Sequence, residues 1–270
     1  MASGNIMLIT GVSSGFGRAL AQEALAAGHT VVGTVRSAQA AREFDALSAH
    51  AAVAHVLDVT DFDRIDGVVA DIEANVGPVD VLVNNAGYGH EGIMEEAPLA
   101  EMRRQFDVNV FGAVAMMKAV VPFMRERRRG RILNITSMGG HITMPGIAYY
   151  CGSKFALEGI SESLGKELEP FGIAVTAVAP GSFRTDWAGR SMRARRARSP
   201  TTTRCSTRSA RRARKRAASS WAIPRRPRGR CSPSSPPTTR PRICCSAAMR
   251  CGWCATSCRR WTTKSARGRP

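Results

Sequence analysis

Residues 10–17 read Thr10-Gly11-Val12-Ser13-Ser14-Gly15-Phe16-Gly17. The stretch follows a short apolar run, Asn5–Thr10, and precedes an Ala-rich segment of helical period, Arg18–Ala27. Strand, glycine turn and helix in that order make an anion cradle. Glycines let the backbone turn tightly and approach a pyrophosphate, and the helix N-terminus adds N–H donors at the positive end of its dipole. The spacing, TGxxxGxG, differs from the commoner GxGxxG, and glycines alone would fit a plain loop equally well. Position between a strand and a helix tips the reading toward phosphate.

Outward from this turn, apolar β-branched runs recur. Thr30–Val35, Val53–Leu57, Val79–Asn84, Arg131–Thr136 and Ile173–Ala179 read as strands two to six after Asn5–Thr10. They are continuous rather than alternating, as in strands buried on both faces. Between them, Phe62–Val76, Leu99–Glu126 and Ala156–Pro170 read as helices. The alternation predicts an α/β fold, a Rossmann-type doubly wound parallel sheet in one domain over residues 1–190. No repeat of solenoid period is present.

Composition divides the chain at the same place. Residues 1–190 hold 16 basic and 21 acidic side chains and one cysteine, Cys151; residues 191–270 hold 23 basic, no acidic and seven cysteines. The net charge of +18 is therefore a property of the tail. No apolar run approaches the ~20 residues of a membrane span, and Met1–Asn5 does not open a signal peptide. One cysteine in the first 190 residues suits a reducing, cytoplasmic setting.

The end of the second strand discriminates between dinucleotides. An acid there binds a ribose 2′-hydroxyl, whereas a base accommodates a 2′-phosphate. Arg36 occupies that end, which favours NADP(H) over NAD(H).

The ordered set TGVSSGFG, Asp58-Val59, Asn84-Asn85-Ala86-Gly87, Asn109, Ser137, Tyr150-x-x-x-Lys154 and Pro180-Gly181 resembles the short-chain dehydrogenase/reductase family over about residues 5–190. The resemblance implies an NAD(P)-dependent oxidoreductase that interconverts a carbonyl and an alcohol on a small molecule. It implies cofactor contacts from Thr10, Gly11, Ser13, Ser14, Gly15, Phe16 and Gly17 in the turn, and from Arg36. Asp58 with Val59 would lie at the adenine, Asn85, Ala86 and Gly87 beside the cofactor, and Pro180, Gly181 and Thr185 at the nicotinamide. Homo-oligomers through helices 99–126 and 150–170 are a family expectation. A non-catalytic dinucleotide-binding regulator is the competing class, and the intact Ser137, Tyr150 and Lys154 set argues against it.

Tyr150 and Lys154 stand one helical turn apart. A phenol titrates near ~10, and a neighbouring ammonium is expected to lower that value and ready Tyr150 as acid or base. Tyr149 is the competing phenol. Ser137, just past the fifth strand, could donate to the substrate oxygen as hydride arrives. By resemblance Lys154 also holds the nicotinamide ribose, and Asn109 holds a water that links Lys154 to solvent. Cys151 reads as a packed residue and His141 as an exposed loop residue. Met138–Ile147 and Phe183–Trp187 are largely apolar where not Gly, which suggests an apolar substrate.

The tail admits three readings. Arg193–Arg198 and Arg211–Arg216 could form a basic, nucleic-acid-binding arm on an inactive, truncated enzyme. Cys251-x2-Cys254-x3-Cys258 could hold a metal, but no histidine accompanies it and no metal site is expected. The favoured reading is a shifted reading frame, with one base lost near codons 188–200. Each Arg codon CGN then returns to NCG (Ala, Pro, Thr or Ser), and each Cys codon TGY to NTG (Leu, Met or Val). Cys251, Cys254, Cys258 and Trp261 all restore to apolar residues at the period of a helix face, and Cys244-Cys245-Ser246 to an apolar triplet fit for a strand. As written, 191–270 is expected to be a disordered tail without the family's last strand, and no membrane or nucleic-acid partner is expected.

Overall fold

The computed structural model describes residues 4–181 and the backbone of a short strand at 192–194. The expectations for Thr185, for Phe183–Trp187 and for the rest of the tail lie outside the described residues.

Six parallel strands form one sheet in the order β3-β2-β1-β4-β6-β7. They are β1 (Ile6–Thr10), β2 (Thr30–Val35), β3 (Ala52–Val56), β4 (Val79–Asn84), β6 (Gly130–Ile135) and β7 (Ile173–Val178). The order reverses across β1 and β4, which is the switch point where doubly wound sheets bind ligands. Each predicted strand is present within a residue or so of its expected ends. Alternate side chains of the apolar runs feed two cores. Leu8, Val32, Leu82 and Ile132 meet α3 (Phe62–Asn75), α5 (Gly112–Glu126) and α6 (Ala148–Leu168) through Ile65, Ile72, Met116, Val120 and Leu168. Ile9, Val31, Val35 and Val83 meet α1 (Gly15–Ala26) and α2 (Ala38–Asp45) through Ala21, Ala24 and Phe44.

Four differences from the sequence reading have physical causes. Helix α2 goes unpredicted because it is only eight residues long; Ser37 caps it by accepting from Ala40 N at 3.2 Å. Helix α6 begins at Ala148, not Ala156, straight after a turn at Gly146 (φ 84°) and with no side-chain cap to announce it. The 99–126 helix is α4 (Leu99–Phe106) and α5 joined by a π-helical turn, Asp107–Phe111. A three-residue strand β5 (Gly89–Glu91) pairs in parallel with β8 (Met192–Ala194), too short to leave a pattern.

A further correction concerns membranes. Leu99–Glu126 is long and apolar enough, by length and composition, to cross one. Its apolar face belongs to the protein core, where Met116, Met117, Val120 and Met124 are buried.

Candidate active site

The expected site residues that the structure describes gather along one edge of the sheet, at the C-terminal ends of the strands. Thr10 ends β1, and its hydroxyl accepts from Asn85 N (3.0 Å) and Ala86 N (2.9 Å). The Asn85 amide returns two bonds, to Thr10 O at 2.9 Å and Gly11 O at 3.0 Å. The glycine turn is thus stapled to the turn after β4. Gly11 has φ 72° and packs so closely that a Cβ would sit 3.1 Å from Ala86 Cα. A Cβ on Gly17 would collide with the Asn85 side chain and the Gly11 carbonyl. Ser13, Ser14, Gly15 and Phe16 are exposed at the head of α1, whose first-turn N–H groups have no intrahelical acceptor. This cradle has the form that an incoming pyrophosphate requires.

Next along the edge, Arg36 is exposed after β2, and no partner holds its guanidinium among the described residues. Asp58 follows β3. Its Oδ1 accepts from Thr60 N (3.0 Å) and Thr60 Oγ1 (2.8 Å), which leaves Oδ2 uncommitted. Val59 is buried beneath it. On the far side of the switch point, Pro180 O accepts from Met138 N at 3.2 Å, tying the Pro180-Gly181 turn to the segment after β6.

Ser137 follows β6 and opens a 3-10 turn, Met138–Gly140, accepting from Gly139 N at 3.1 Å. Its side chain is hydrogen-bonded with Tyr150. Tyr150 is buried on the first turn of α6. Tyr149 is committed elsewhere: its hydroxyl donates to Ala97 O at 2.8 Å and its ring stacks on His90. Of the two phenols, Tyr150 is the one beside Ser137 and Lys154. Lys154 is buried, donates to Ile135 O at 2.7 Å and places Nζ 5.8 Å from the Tyr150 ring centre.

The electrostatics correct one expectation. Burial pushes the Tyr150 phenol above its ordinary value, and the bond to Ser137 only partly opposes this. Burial also pushes Lys154 down to about 8, against the pull of the Glu158 carboxylate. Desolvation thus outweighs the expected lowering of Tyr150 by its neighbour. The chain alone holds a protonated phenol, the form that can give a proton away.

Asn109 sits in the π-helical turn, wholly buried and fully engaged. Its Oδ1 accepts from Tyr88 N (3.1 Å), and its Nδ2 donates to Tyr88 O (2.9 Å) and Ser153 Oγ (3.1 Å). Ser153 in turn donates to Tyr150 O at 2.8 Å. Sequence reasoning missed Ser153 and the fully buried Gln105, which accepts from His90 N at 2.9 Å and donates to Tyr88 O. Ser153 lies three residues after Tyr150, the spacing at which a serine bonds back to its own helix, so a signal existed. Cys151 is buried and its thiol pushed up by burial, as fits a packing residue. His141 is half-exposed and lies 3.1 Å from Glu158.

Residues 5–196 match the family model described as short chain dehydrogenase. The chain belongs to the short-chain dehydrogenase family. It is 44% identical over 181 residues to the 3-ketodihydrosphingosine reductase of Bacteroides thetaiotaomicron, covering 67% of this chain and 64% of that one. It is 34% identical over 185 residues to the NADPH-dependent 3-dehydrocapnine reductase of Ornithobacterium rhinotracheale, covering 66% and 65%. The match thus spans a little under two thirds of both relatives. A short-chain dehydrogenase from Streptomyces avermitilis superposes with TM-score 0.73 at 42% identity, over 81% of this chain and 82% of that one. Two further structures at 29% identity differ in cofactor. ElxO is NADP-bound (TM-score 0.65; 68% and 75% covered), and a xylitol dehydrogenase is NAD+-bound (TM-score 0.64; 67% and 72% covered).

Proposed function

We propose that this chain is an NADP(H)-preferring oxidoreductase that interconverts a ketone and a secondary alcohol on an apolar, chain-bearing substrate. The observation that carries the reading is the convergence of Ser137, Tyr150 and Lys154 at the switch-point edge beside the glycine cradle. When bound, the reduced nicotinamide supplies the hydride. Ser137 donates to the substrate oxygen, which gains charge as its carbon is reduced. Tyr150 then gives its phenolic proton to that oxygen. Lys154 stabilises the phenolate left behind until a proton returns, and Asn109 keeps the Tyr88 segment and α6 in register around it.

Arg36 supports NADP over NAD, because an exposed guanidinium suits a 2′-phosphate and no carboxylate replaces it at this strand end. The substrate class rests on two relatives whose names specify reduction of a 3-keto or 3-dehydro compound. The test is NADPH oxidation by the purified chain over a panel of 3-oxoacyl thioesters and simple ketones, with NADH as control. NADPH-dependent turnover is expected, with longer acyl chains preferred. Tight NADPH binding without turnover of any ketone would favour the regulator instead.

Oligomers are proposed through helices 99–126 and 150–170, where Leu99, Phe111 and Phe155 are exposed. Light scattering reads the mass, and a monomer at micromolar concentration would refute it.

Residues 191–270 are best explained by a shifted frame. Codon arithmetic returns a strand-like triplet and a helix face, and the family match stops at residue 196. Resequencing the source DNA across codons 185–205 tests this. An extra base is expected there, and its absence would make the basic tail native.

A further inference from the structure

Gln105 lies in the last turn of α4 and is wholly buried. A buried amide is costly unless its polar ends are bonded. Both ends of this one are, and to the same short segment. Its Nε2 donates to Tyr88 O, and its Oε1 accepts from His90 N at 2.9 Å. Those two backbone groups flank Gly89, the first residue of β5.

This is the bonding of a parallel ladder. In such a ladder the N–H and C=O of one residue reach the carbonyl before, and the N–H after, the residue opposite. The Gln105 amide therefore takes the place of one residue of a neighbouring strand. Successive strand residues turn their backbone groups to opposite edges, so Gly89 and Glu91 face the other edge, where β8 pairs. A strand thus holds β5 on one edge and a single side chain holds it on the other. Asn109 does not duplicate this role, because it grips the backbone of Tyr88 and not that of His90.

The same segment is joined to the head of α6 at two points. The His90 ring stacks on Tyr149 with 5.3 Å between ring centres. Just past β5, Gly92 N donates to Gly146 O at 2.8 Å, in the turn that opens α6. Tyr150 follows Tyr149 directly.

We propose that Gln105 is a positioning residue: its amide stands in for a strand neighbour of β5, and through β5 it fixes the head of α6 that carries Tyr150. The kinetic consequence rests on the oxidoreductase reading; the strand role does not.

The test compares the full-length chain with Gln105→Leu and Gln105→Glu. Leucine fills a similar volume and bonds to neither group, whereas the carboxyl group still accepts from His90 N. Amide hydrogen exchange is read by mass spectrometry on peptides covering β5 and residues 147–152, with β2 as control. Gln105→Leu should exchange about tenfold faster or more in both test segments, with β2 unchanged. Gln105→Glu should fall between Gln105→Leu and the parent. Unchanged β5 exchange in Gln105→Leu, or equal β5 exchange in the two variants, overturns the strand role. Faster exchange in β5 alone overturns the link to α6. In NADPH-dependent ketone reduction, Gln105→Leu should lower kcat by about tenfold or more. KM for NADPH should stay within about twofold, and Gln105→Glu should recover part of kcat. An unchanged kcat, or a loss confined to KM, overturns the positioning of Tyr150. If exchange responds as expected but no variant, parent included, reduces a ketone, the oxidoreductase reading has failed and the strand role stands.

Discussion

Replacing Asn109 by alanine tests whether the amide is a structural brace before it is anything else. Asn109 accounts for three hydrogen bonds in a site with almost no access to water. Their loss is unequal. Tyr88 O keeps a donor in Gln105, and Ser153 still donates to Tyr150 O. Tyr88 N loses the acceptor that Asn109 supplies. Three lost bonds cost about 1 kcal/mol each. Their sum is about 3 kcal/mol, even with some relaxation. For a domain of this size each kcal/mol lowers Tm by about 2–4 °C, so Asn109→Ala should melt roughly 6–12 °C below the parent. Thermal denaturation followed by far-UV circular dichroism measures it. Asn109→Asp should fall between the two, since its carboxylate still accepts from Tyr88 N but donates nothing. A drop under about 3 °C for the alanine variant would refute the brace, and the residue would then have to be explained by proton transfer alone.

Tyr150→Phe should cut kcat by about 10²–10⁴-fold while Tm stays within a few degrees. Tyr149→Phe should lose only its bond to Ala97 and retain turnover, so equal losses in the two variants would undo the assignment of the site phenol. Lys154 gives a pH signature of definite sign. Its folded value, about 8, lies below the ordinary 10.5, so between the two the unfolded chain binds the extra proton and stability rises with pH. Lys154→Met should lack that rise, and denaturant melts at pH 8 and 10 on both proteins would expose a parallel response as a contradiction. Arg36→Leu should weaken NADPH binding by about tenfold or more, the scale of one charge-assisted contact, with NADH binding little changed; fluorescence titration separates the two, and equal losses would place the 2′-phosphate elsewhere.

Much of this molecule was legible because its fold and its cradle rest on local chemistry. The central strands β1, β2 and β4 are largely buried on both faces, so each appears as an unbroken apolar run, and the parallel order follows from the helices between them. The glycine turn is legible because Gly11 and Gly17 stand where any side chain would collide with the Asn85 turn. Ser137, Tyr150 and Lys154 are legible as a spacing. What was not legible depends on contacts between distant segments. Nothing in the sequence says that Asn109 and Gln105 clasp Tyr88 from across the π-helical turn, or that Asn134 bridges Asn84 and Ser161 inside the core. The direction of the Tyr150 shift was missed for the same reason. The i, i+4 spacing reveals the neighbouring charge, but only the packed structure reveals how much water has been taken away.

The exposure pattern of β6 bears on the tail from an independent direction. On the face toward α3, α5 and α6, Ile132 is buried; on the opposite face, Leu133 and Ile135 are only half-buried, although both are apolar. In the strands nearer α1 and α2 that same face is closed, with Ile9, Val31 and Val83 fully buried. Among the described residues β7 is the edge of the sheet, paired with β6 alone. An apolar helix face and one further strand are what would close this corner of a doubly wound fold. The proposed shifted-frame reading of residues 244–261 would supply those two elements, whereas the sequence as written has cysteines where that reading has apolar residues. The half-buried β6 face thus supports the proposed shifted frame from the packing side, as the codon arithmetic does from the sequence side.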